Sequence, residues 1–581
     1  MTARAFLNVE TSLTGRRWTG PDAATEREAE AIAQAARLPL PLARVLARQG
    51  VAPGQAATYL APALRDLLPD PLSLRDMGQA ADRFLAAVRG GQRIAILADY
   101  DVDGGASAAL LIVWLRAMGR AATLYVPDRI DEGYGPNGPA MQALGRAHDL
   151  ILCVDCGTLS HEPIAAAGCD VIVLDHHLGG EKLPPALAVV NPNRMDEDGA
   201  LAHLCAASVV FLMLVEANRR LRAEGQAGPD LMAMLDLVAL ATVADVAALT
   251  GANRPLVRQG LRGLARRGRP GLTALADGAR LTAAPTAHTL GFVFGPRVNA
   301  GGRIGRADLG ARLLAIDDPA EATSLAERLE TLNAERRAVE ATVREAAMAQ
   351  AEARGTAGPL VWAAGDGWHP GVVGIVAARL KEAFDRPAVV IGLEGGVGKG
   401  SARSVAGIDL GAAVQRLAAE GWLVKGGGHR MAAGLTVEAG RLEGAMERLA
   451  DLLLRQGPLP AGAGALRLDG LLPPAALTPD LWDTLEAAGP WGQGAPAPRF
   501  ALSDLAVEAR RMGEGHMRMT ARDGNGARIE AVAFGAAEGP LGALLSAPPH
   551  ARWHLAGRLD RNDWGGRTRI ELRLDDAAPA G

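Results

Sequence analysis

The chain has 581 residues, 49% of them hydrophobic and 22% charged, which is enough for about three or four domains with cores of their own. The net charge of −4 excludes a protein that binds nucleic acid through an overall positive charge, so such binding would need local basic patches. No run of about 18 apolar residues is free of charges, and the N-terminus has no uninterrupted apolar segment, so we expect neither a membrane span nor a secretion signal.

The four cysteines bear on the compartment in which the protein works. Cys153 and Cys156 form a CxxC pair, which can bind zinc or carry redox chemistry. Cys169 and Cys205 are spaced irregularly, and Asp155 lies inside the CxxC pair at the predicted end of a strand. We therefore interpret the four as small buried side chains of a reduced, cytoplasmic protein.

The first half of the chain changes from short helical segments to an alternating α/β pattern. Residues 1–75 are rich in Ala, Leu and Arg, are interrupted by Pro and Gly, and predict an N-terminal helical cap on the next domain. In residues 76–320, β-type runs such as RIAIL (93–97) and VIVL (171–174) alternate with helical stretches. This alternation is typical of βαβ units, so the predicted fold class is α/β with a parallel sheet.

The second half predicts three further parts. Residues 321–355 are densely charged and lack Pro and internal Gly, which indicates a long helix that connects two domains. Residues 356–455 repeat the α/β pattern in a smaller domain. Residues 456–581 follow a Pro/Gly-rich linker (455–465) with period-2 runs and Gly, Asn and Asp turns, the pattern of a small OB-like β-barrel.

Four short clusters of Asp and His each follow an apolar run. They are ADYDVDG (98–104), VDCG (154–157), LDHH (174–177) and VADV (243–246). A carboxylate at the carboxyl end of a parallel strand points into the crevice where α/β sheets bind ligands. Carboxylates suit hard divalent cations and imidazole suits Mn²⁺ or Zn²⁺, so this set predicts Mn²⁺ or Mg²⁺ and hydrolysis of a phosphate ester.

The first cluster has an alternative interpretation. Asp99, Asp101 and Asp103 lie on one side of the backbone if the strand continues to the end of the motif, and such close carboxylates repel unless cations neutralise them. A calcium loop of the EF-hand type would need a bidentate Glu at its twelfth position, which is Leu110, and a helix before it. The pattern therefore favours another kind of metal site.

The remaining clusters are weaker signals individually. In a continuing strand His176 and His177 would point to opposite faces, so we do not expect both to ligate one ion. One can bind metal while the other orients substrate or donates a proton. Asp155 and Asp245 alone would equally suit helix caps, and they indicate a metal site only as members of the set.

The ordered set of clusters resembles the DHH phosphoesterase superfamily, named for an Asp-His-His motif like that at residues 175–177. Stretches from GYG (133–135) to GPWGQGAPAPRF (489–500) resemble the bacterial single-strand-specific exonucleases of that superfamily, over about residues 90–575. GSARS (400–404) and KGGGHRMAAG (425–434) are similar to its DHH-associated substrate-binding domain. The resemblance implies a parallel-sheet DHH domain, a smaller α/β domain beyond a long helix, and an OB-like barrel.

The resemblance also implies roles for the clustered residues. Two ions, Mn²⁺ or Mg²⁺, would be bound by Asp101, Asp103, Asp155, His176 and Asp245. Asp155 would bridge the two ions. Asp175 would orient an imidazole, and His177 would lie beside the scissile phosphate, where it orients substrate or protonates the leaving oxygen.

One position departs from the superfamily. Other members often carry a His four residues before the position of Asp101, where this chain has Leu97. A site without that imidazole should bind its first metal more weakly. Asp99 is the candidate that could compensate, either as a ligand or as an acceptor that contacts a ligand.

Substrate binding is expected in the second α/β domain and its neighbourhood. Glycines let backbone N–H groups approach a phosphate, and arginines supply bidentate charge. The candidates for binding the 5′ end and the first phosphates are Arg129, Arg303, Ser401, Arg403, Gly427, Gly428 and His429. Arg129 and Arg303 could instead be structural ion-pair partners. In the barrel, Arg510, Arg511 and Arg518 would extend the track for the strand.

The function that the resemblance implies is a 5′→3′ exonuclease on single-stranded DNA, which releases nucleoside 5′-monophosphates in DNA repair and recombination. A small-substrate phosphodiesterase of the oligoribonuclease or cyclic-dinucleotide type is the alternative, and it would lack the barrel. A catalytically silent single-strand-binding scaffold is a third hypothesis, which the intact clusters disfavour. Single-stranded DNA is the expected partner, while a single-strand-binding protein and a helicase are expected from the family alone.

Overall fold

The computed structural model describes residues 4–129, 131–457, 464–548, 550–564 and 567–580. They pack into two units. The barrel unit contains the described residues of Met1–Ala63, Pro460–Trp491 and Ala495–Gly581, and the two-sheet unit contains those of Leu64–Leu459 and Gly492–Gly494. The linker predicted at residues 455–465 lies mostly outside the described residues. Within them, every helix is too short or too polar to cross a membrane.

The elements are numbered in chain order. Residues 17–60 form β1 (Arg17–Thr19), α1 (Ala23–Ala36), α2 (Leu40–Arg48) and α3 (Ala56–Leu60). Residues 64–244 form α4 (Leu64–Leu67), α5 (Met77–Arg89), β2 (Ile94–Ala98), α6 (Val102–Ala117), β3 (Ala122–Tyr125), α7 (Gly138–Ala147), β4 (Leu150–Val154), α8 (His161–Ala165), β5 (Asp170–Leu174), β6 (Ala188–Val190), α9 (Ala206–Ala223) and α10 (Leu235–Ala244).

Residues 253–354 form α11 (Asn253–Ala265), α12 (Pro270–Gly278), a π-helix (Thr289–Phe294), α13 (Gly295–Ile304), α14 (Leu309–Ala315) and α15 (Pro319–Arg354). Residues 361–454 form β7 (Val361–Asp366), α16 (Pro370–Phe384), β8 (Ala388–Glu394), β9 (Val397–Arg403), α17 (Leu410–Ala419), β10 (Lys425–His429), β11 (Ala432–Glu438) and α18 (Leu442–Leu454). The chain then returns to the barrel unit with β12 (Ala465–Arg467), α19 (Pro479–Glu486), β13 (Phe500–Met512), β14 (His516–Arg522), β15 (Arg528–Ala533), β16 (Arg552–Trp564) and β17 (Arg567–Pro579).

The first sheet of the two-sheet unit has the strand order β3-β2-β4-β5-β6, and its strands are parallel. Its central strands β2 and β4 are buried throughout, which explains their unbroken apolar sequences, because a parallel sheet is covered by helices on both faces. The last residues of β2, β4, β5 and β6 are in register, from Ala98 across to Val190. The residues that follow these strands therefore lie side by side at one edge, which we call the carboxyl edge.

The second sheet has the order β10-β11-β9-β8-β7, in which β7 and β8 are parallel and the other pairs antiparallel. Helix α15 connects the two sheets: it contacts α12 and α13 before it and α16 and β7 after it. This confirms the predicted connecting helix. The Gly-rich segment Lys425–His429 is strand β10, because its backbone pairs with β11.

The barrel unit is built around the closed barrel β13-β14-β15-β17-β16, as the period-2 pattern predicted. The N-terminal helices, expected to cap the next domain, bury Ile32 and Leu46 in a core with Leu472 and Phe500. Trp18 donates a buried hydrogen bond to Asp576 at 2.9 Å. Such contacts between the two ends of the chain leave no periodic signal in the sequence, which is why the prediction named the wrong neighbour.

Helix α10 is apolar on all sides, as expected of a buried helix, and it packs against α6, α9 and α11. Gly260 of α11 lies so close to α10 that a Cβ there would be 2.2 Å from the carbonyl oxygen of Leu235. At Gly263, one turn later, a Cβ would meet only Asp236 at 4.0 Å. The close packing of α10 and α11 thus depends on one glycine.

We predict that Gly260→Ala destabilises the protein by about 1–3 kcal/mol, because the methyl group forces the two backbones apart. Gly263→Ala, the matched control on the same helix, should be neutral or stabilising by up to about 1 kcal/mol, since Ala has the higher helix propensity. Thermal unfolding of both variants measures the difference. Equal melting temperatures would contradict the packing described for α11.

Candidate functional site

The ADYDVDG segment turns directly from strand into helix. Strand β2 ends at Ala98, and Asp101 caps α6 by accepting hydrogen bonds from the N–H groups of Asp103 (2.9 Å) and Gly104 (3.1 Å). A Cβ on Gly104 would be 2.4 Å from the carbonyl oxygen of Asp99, so the turn requires glycine. The strand therefore ends before Asp101, so the three carboxylates do not share one side of a continuing strand. The turn nevertheless brings the carboxylates together.

Asp103 lies in the first turn of α6 and is fully buried. Its two carboxylate oxygens accept hydrogen bonds from the N–H groups of Ala206 (2.7 Å) and Ala207 (2.8 Å), at the beginning of α9. The positive end of the α9 dipole therefore stabilises this carboxylate. The two hydrogen bonds also fix the position of Asp103 at the carboxyl edge.

Asp155 and the histidines occupy the centre of that edge. The Nε2 atom of His176 lies 3.4 Å from Asp155 and 3.7 Å from both Asp103 and Asp245. The Nδ1 atom of His177 lies 2.8 Å from Asp175 and 3.8 Å from Asp155. Both imidazoles thus face Asp155, contrary to the expectation of opposite faces, because β5 ends at Leu174 before either histidine.

Three groups of side chains place their ligand atoms within 4.8 Å of one another, a spacing that suits a metal ion. They are Asp155 with His176 and His177, Asp103 with His176 and Asp245, and Asp99 with Asp101 and Asp155. The four sequence clusters therefore converge on one centre. Asp245 joins them from the residue after α10, a helix rather than a strand.

The electrostatics of this centre favour cations. Burial, with repulsion from neighbouring carboxylates second, raises the pKa of Asp99 and Asp155 well above the ordinary value and that of Asp245 to about 8. Oδ1 of Asp99 and Oδ1 of Asp155 are buried without a hydrogen-bond partner among the described residues. Within that same part of the chain, no Arg or Lys forms an ion pair with Asp99, Asp101, Asp103, Asp155 or Asp245. Oxygen donors with two imidazoles fit Mn²⁺ or Mg²⁺.

Asp175 contacts His177 rather than the centre itself. Its Oδ1 faces Nδ1 of His177, and its Oδ2 accepts hydrogen bonds from the N–H and hydroxyl of Thr158. Burial alone would raise the pKa of Asp175, but these hydrogen bonds outweigh it and hold that pKa below the ordinary value. Burial would lower the pKa of His177, but the bond to Asp175 raises it to about 9. The carboxylate thus fixes the ring.

Three arginines converge next to this centre. Arg129 stacks on Tyr100 at 5.2 Å. Its positive charge opposes part of the rise in the pKa of Asp99 that burial causes. For Arg303 and Arg403, burial lowers the pKa and repulsion from Arg129 lowers it further. Burial, with repulsion from Arg129 second, lowers the pKa of Arg303 to about 10. Among the described residues the three have no ion-pair partner, so the proposed alternative of structural ion pairs finds no support there.

Arg303 and Arg403 are held by the second sheet and α16. Nη1 of Arg303 donates to the carbonyl of Gly371 (3.1 Å) in the first turn of α16, and Nη1 of Arg403 donates to the hydroxyl of Ser401 (2.9 Å). A Cβ on Gly374 would be 3.0–3.1 Å from Ser401 and Arg403, so α16 packs against them. These contacts hold arginines from both halves of the two-sheet unit close to one another.

The glycines of β10 are connected to this site through the sheet. Gly427 pairs with Gly434 of β11, which pairs with Ser401 of β9. The next residues of β10, Gly428 and His429, lie further along the same strand, and His429 is exposed. The seven predicted substrate residues thus divide into three arginines with Ser401, and a glycine strand two strands away.

Models of three protein families match this chain. Residues 93–242 match the DHH family, N-terminal domain, residues 357–455 the DHHA1 domain, and residues 468–576 the RecJ OB domain. The single-stranded-DNA-specific exonuclease RecJ of Dickeya dadantii is 37% identical over 564 residues, 93% of this chain and 96% of the relative. The chain belongs to the RecJ family. The Escherichia coli RecJ is 35% identical over 565 residues, 94% of this chain and 96% of the relative.

Solved RecJ structures share the fold. RecJ of Thermus thermophilus in complex with Mn²⁺ superimposes with a TM-score of 0.81 at 32% identity, over 96% of this chain and 79% of that one. The complex with Mg²⁺ gives a TM-score of 0.75 at 30% identity, over 97% and 78%. The predicted combination of DHH, DHH-associated and OB-like domains is confirmed.

Some residues at the RecJ-type site had not been assigned from sequence. The Tyr134 hydroxyl contacts the carbonyl of Asp155 (3.0 Å) and the ring of His177 (3.1 Å). Asn191 donates to the carbonyl of His177 (2.8 Å), and Asn193 to that of His176 (2.5 Å). Tyr134 belongs to GYG (133–135) and the two asparagines belong to VNPN (190–193), both within the stretch that resembles the exonucleases. The sequence thus marked these segments but did not assign a role to the three residues.

Two of the three predicted barrel arginines have carboxylate partners. Arg511 pairs with Glu538, and Arg518 pairs with Glu571 at 3.1 Å. Charges already neutralised by carboxylates are weaker phosphate ligands. Arg511 and Arg518 therefore contribute less to strand binding than the arginine content of the barrel suggests.

Proposed function

We propose that this RecJ-family protein is a metal-dependent 5′→3′ exonuclease that degrades single-stranded DNA to nucleoside 5′-monophosphates in DNA repair and recombination. One observation carries the proposal: a buried centre of carboxylates and imidazoles lies beside three arginines that have no carboxylate partner among the described residues, and Arg129 is near both groups. An enzyme that cleaves a phosphodiester in a DNA strand needs two such subsites, one for the scissile phosphate and one for a neighbouring phosphate. The names of relatives that match nearly the whole chain support this substrate.

Two divalent ions, Mn²⁺ or Mg²⁺, are the proposed cofactors. Their ligands would be Asp101, Asp103, Asp155, His176 and Asp245, with Asp155 shared. When bound, such ions supply an activated water and stabilise the leaving oxygen of an in-line displacement. The protein positions this centre through the hydrogen bonds that α9 gives to Asp103 and Asn193 gives to the His176 backbone.

His177 is proposed to orient the scissile phosphate. Asp175 accepts from its Nδ1–H and the backbone of Thr158 holds Asp175, so the ring has one orientation. The Tyr134 hydroxyl, 3.1–3.3 Å from both ring nitrogens, limits rotation on the other side. The ring is thus preorganised beside Asp155.

The terminal 5′ phosphate would bind to Arg129, Arg303, Ser401 and Arg403, with Gly427, Gly428 and His429 contacting the adjacent backbone. Guanidinium groups bind phosphate oxygens in a bidentate manner, and burial strengthens the interaction. A terminal phosphate held beside the reacting centre fixes the polarity, because the first phosphodiester then lies at His177. A duplex end lacks the freedom to enter two such subsites.

The domain limits and partners complete the proposal. We propose limits of 1–75 for the N-terminal helices, 76–320 for the DHH catalytic domain, 321–355 for the connecting helix, 356–455 for the substrate-binding domain and 456–581 for the OB-like domain. The protein would act in the cytoplasm. A helicase and a single-strand-binding protein are proposed partners because the enzyme needs an unpaired strand.

The decisive experiment compares 5′- and 3′-labelled DNA, single- and double-stranded, with Mn²⁺ present. The wild-type protein should release labelled mononucleotide first from the 5′-labelled single strand. Asp155→Asn should reduce turnover at least about 10³-fold while retaining single-strand binding, because it removes the shared carboxylate. Asp149→Asn, at the exposed beginning of the same strand region, is the matched control and should keep full activity.

Three results would contradict the exonuclease proposal. Preference for dinucleotides over long strands would support the small-substrate phosphodiesterase. Strand binding without hydrolysis by the wild-type protein would support the silent scaffold. Unchanged turnover in Asp155→Asn would show that the centre is elsewhere.

Arg403→Gln tests the phosphate subsite. Loss of a charge-assisted contact of about 1.5–3 kcal/mol should reduce the preference for a 5′-phosphorylated over a 5′-hydroxyl strand about 10- to 100-fold. Arg379→Gln removes an arginine that lies on α16 but is paired with Glu382 at 3.0 Å, and it should leave the preference unchanged. Rates with both substrates are measured for each variant; equal preferences would place the phosphate elsewhere.

Asp99 is proposed as the ligand that replaces the imidazole missing at Leu97. Leu97 is fully buried in β2, and Asp99, two residues later, has an oxygen without a hydrogen-bond partner among the described residues. That oxygen belongs to a group with Asp101 and Asp155. The ligand has thus moved two residues along the chain.

In metal-stripped protein, Asp99→Asn should weaken Mn²⁺ binding by calorimetry at least about 10-fold. The double variant Leu97→His/Asp99→Asn should recover part of that affinity. Asp170→Asn, at the far end of the sheet, is the control. An unchanged Mn²⁺ affinity in Asp99→Asn, with Asp155→Asn still impaired, would leave Asp99 as a contact of a ligand only.

A further inference from the structure

Helix α11 and the segment after it form the most one-sidedly basic part of the two-sheet unit. Residues 251–280 contain seven arginines and one acidic residue, Asp277, in a chain whose acidic residues outnumber its basic ones, 65 to 61. Nothing in the proposed catalytic or phosphate subsites uses this charge. A local excess of this size attracts anions even on an acidic protein.

Three of the arginines form a stripe along α11. Arg258, Arg262 and Arg266 are spaced by four residues, so they lie on one side of the helix about 6 Å apart along its axis. The opposite side, with Gly260 and Leu264, is buried against the neighbouring helices. Arg262 and Arg266 are exposed.

Among the described residues, local carboxylates do not neutralise the two exposed arginines of the stripe, Arg262 and Arg266. Asp277 pairs with Arg267, and Asp236 pairs with Arg269 at 2.8 Å. In the described part of the chain Arg262 and Arg266 have no carboxylate partner, and Arg262 contacts only the Gln259 side chain, at 3.4 Å. Burial, with repulsion from Arg262 second, lowers the pKa of Arg258. An anion that binds between guanidinium groups this close together relieves their mutual repulsion, so its binding is favourable.

The stripe begins near the candidate active site. Asn253, the first residue of α11, donates hydrogen bonds to the carbonyls of Ala248 (2.9 Å) and His203 (2.7 Å), and so holds the loop that follows Asp245. Gly260 lies against Leu235 at the other end of α10, so the two helices run antiparallel. From Arg258 to Arg266 the stripe therefore leads away from Asp245.

We propose that Arg258, Arg262 and Arg266 bind the phosphate backbone of the DNA strand on the 3′ side of the active site, before it enters. This rests on the proposed exonuclease function. Regularly spaced guanidinium groups match a chain of regularly spaced phosphates, and such contacts do not depend on the base sequence of the DNA. The stripe would hold long strands between turnovers and would be too distant to contact a di- or trinucleotide.

The test uses the full-length protein and fluorescence anisotropy with a long 5′-phosphorylated oligonucleotide in EDTA, which prevents digestion. Arg262→Gln/Arg266→Gln should reduce the slope of log affinity against log salt by about 1.4, because each contact to a single strand contributes about 0.7. Hydrolysis of a trinucleotide with Mn²⁺ should be unchanged. The double variant Arg328→Gln/Arg344→Gln, two exposed arginines of α15, makes the same charge change and should leave the slope as in wild type.

A salt slope for Arg262→Gln/Arg266→Gln equal to that of Arg328→Gln/Arg344→Gln would overturn the proposal. So would an equal loss of affinity for long and short strands, which would place these arginines in the inner subsites. Failure of the exonuclease proposal is a separate result, since wild-type protein would then release no mononucleotides from the 5′ end of the long strand when Mn²⁺ is present. Circular dichroism spectra of the variants establish that α11 is intact.

Discussion

Repulsion among buried carboxylates is the constraint around which the two-sheet unit is organised. Asp99, Asp103 and Asp155 are each less than 5% exposed, and burial together with mutual repulsion raises the pKa of each. No protein gains stability from such a group of acids without opposite charge. The dipole of α9 and the imidazole of His176 compensate part of the charge, and divalent ions are the chemistry that fits the remainder.

The same unit also contains a group of arginines that repel one another, a short distance from the carboxylates. Arg129, Arg303 and Arg403 repel one another and have no ion-pair partner in the described part of the chain. If these arginines were closer to the carboxylates they would neutralise them and both subsites would be lost. Backbone and hydroxyl groups, those of Gly371 and Ser401, hold the arginines instead. Two unpaired charged clusters of opposite sign are thus maintained side by side, which is what a bound phosphodiester and its metals require.

The fold and the main site were largely predictable because their signals are local. Alternating apolar runs predicted the parallel sheet and the barrel, and the charged stretch predicted α15. Asp101, Asp155, Asp175 and His176 could be named because residues after parallel strands share an edge. The beginning of α6 at Val102 and the early end of β5 could not, since they depend on contacts with Asp99 and with the strands alongside. The roles of Tyr134 and Asn193 likewise follow only from which side chains they reach.

By itself, the sequence determined the order of the elements, the chemical character of the clusters and the family, because propensity, periodicity and motif spacing are properties of short segments. Only the tertiary structure decided which carboxylates lack partners, which arginines remain unpaired, and that Trp18 meets Asp576 across almost the whole chain. Those facts depend on distances between residues far apart in the chain. Charge neutralisation and desolvation act through space, so the packing of the folded chain decides whether a charged side chain has a partner.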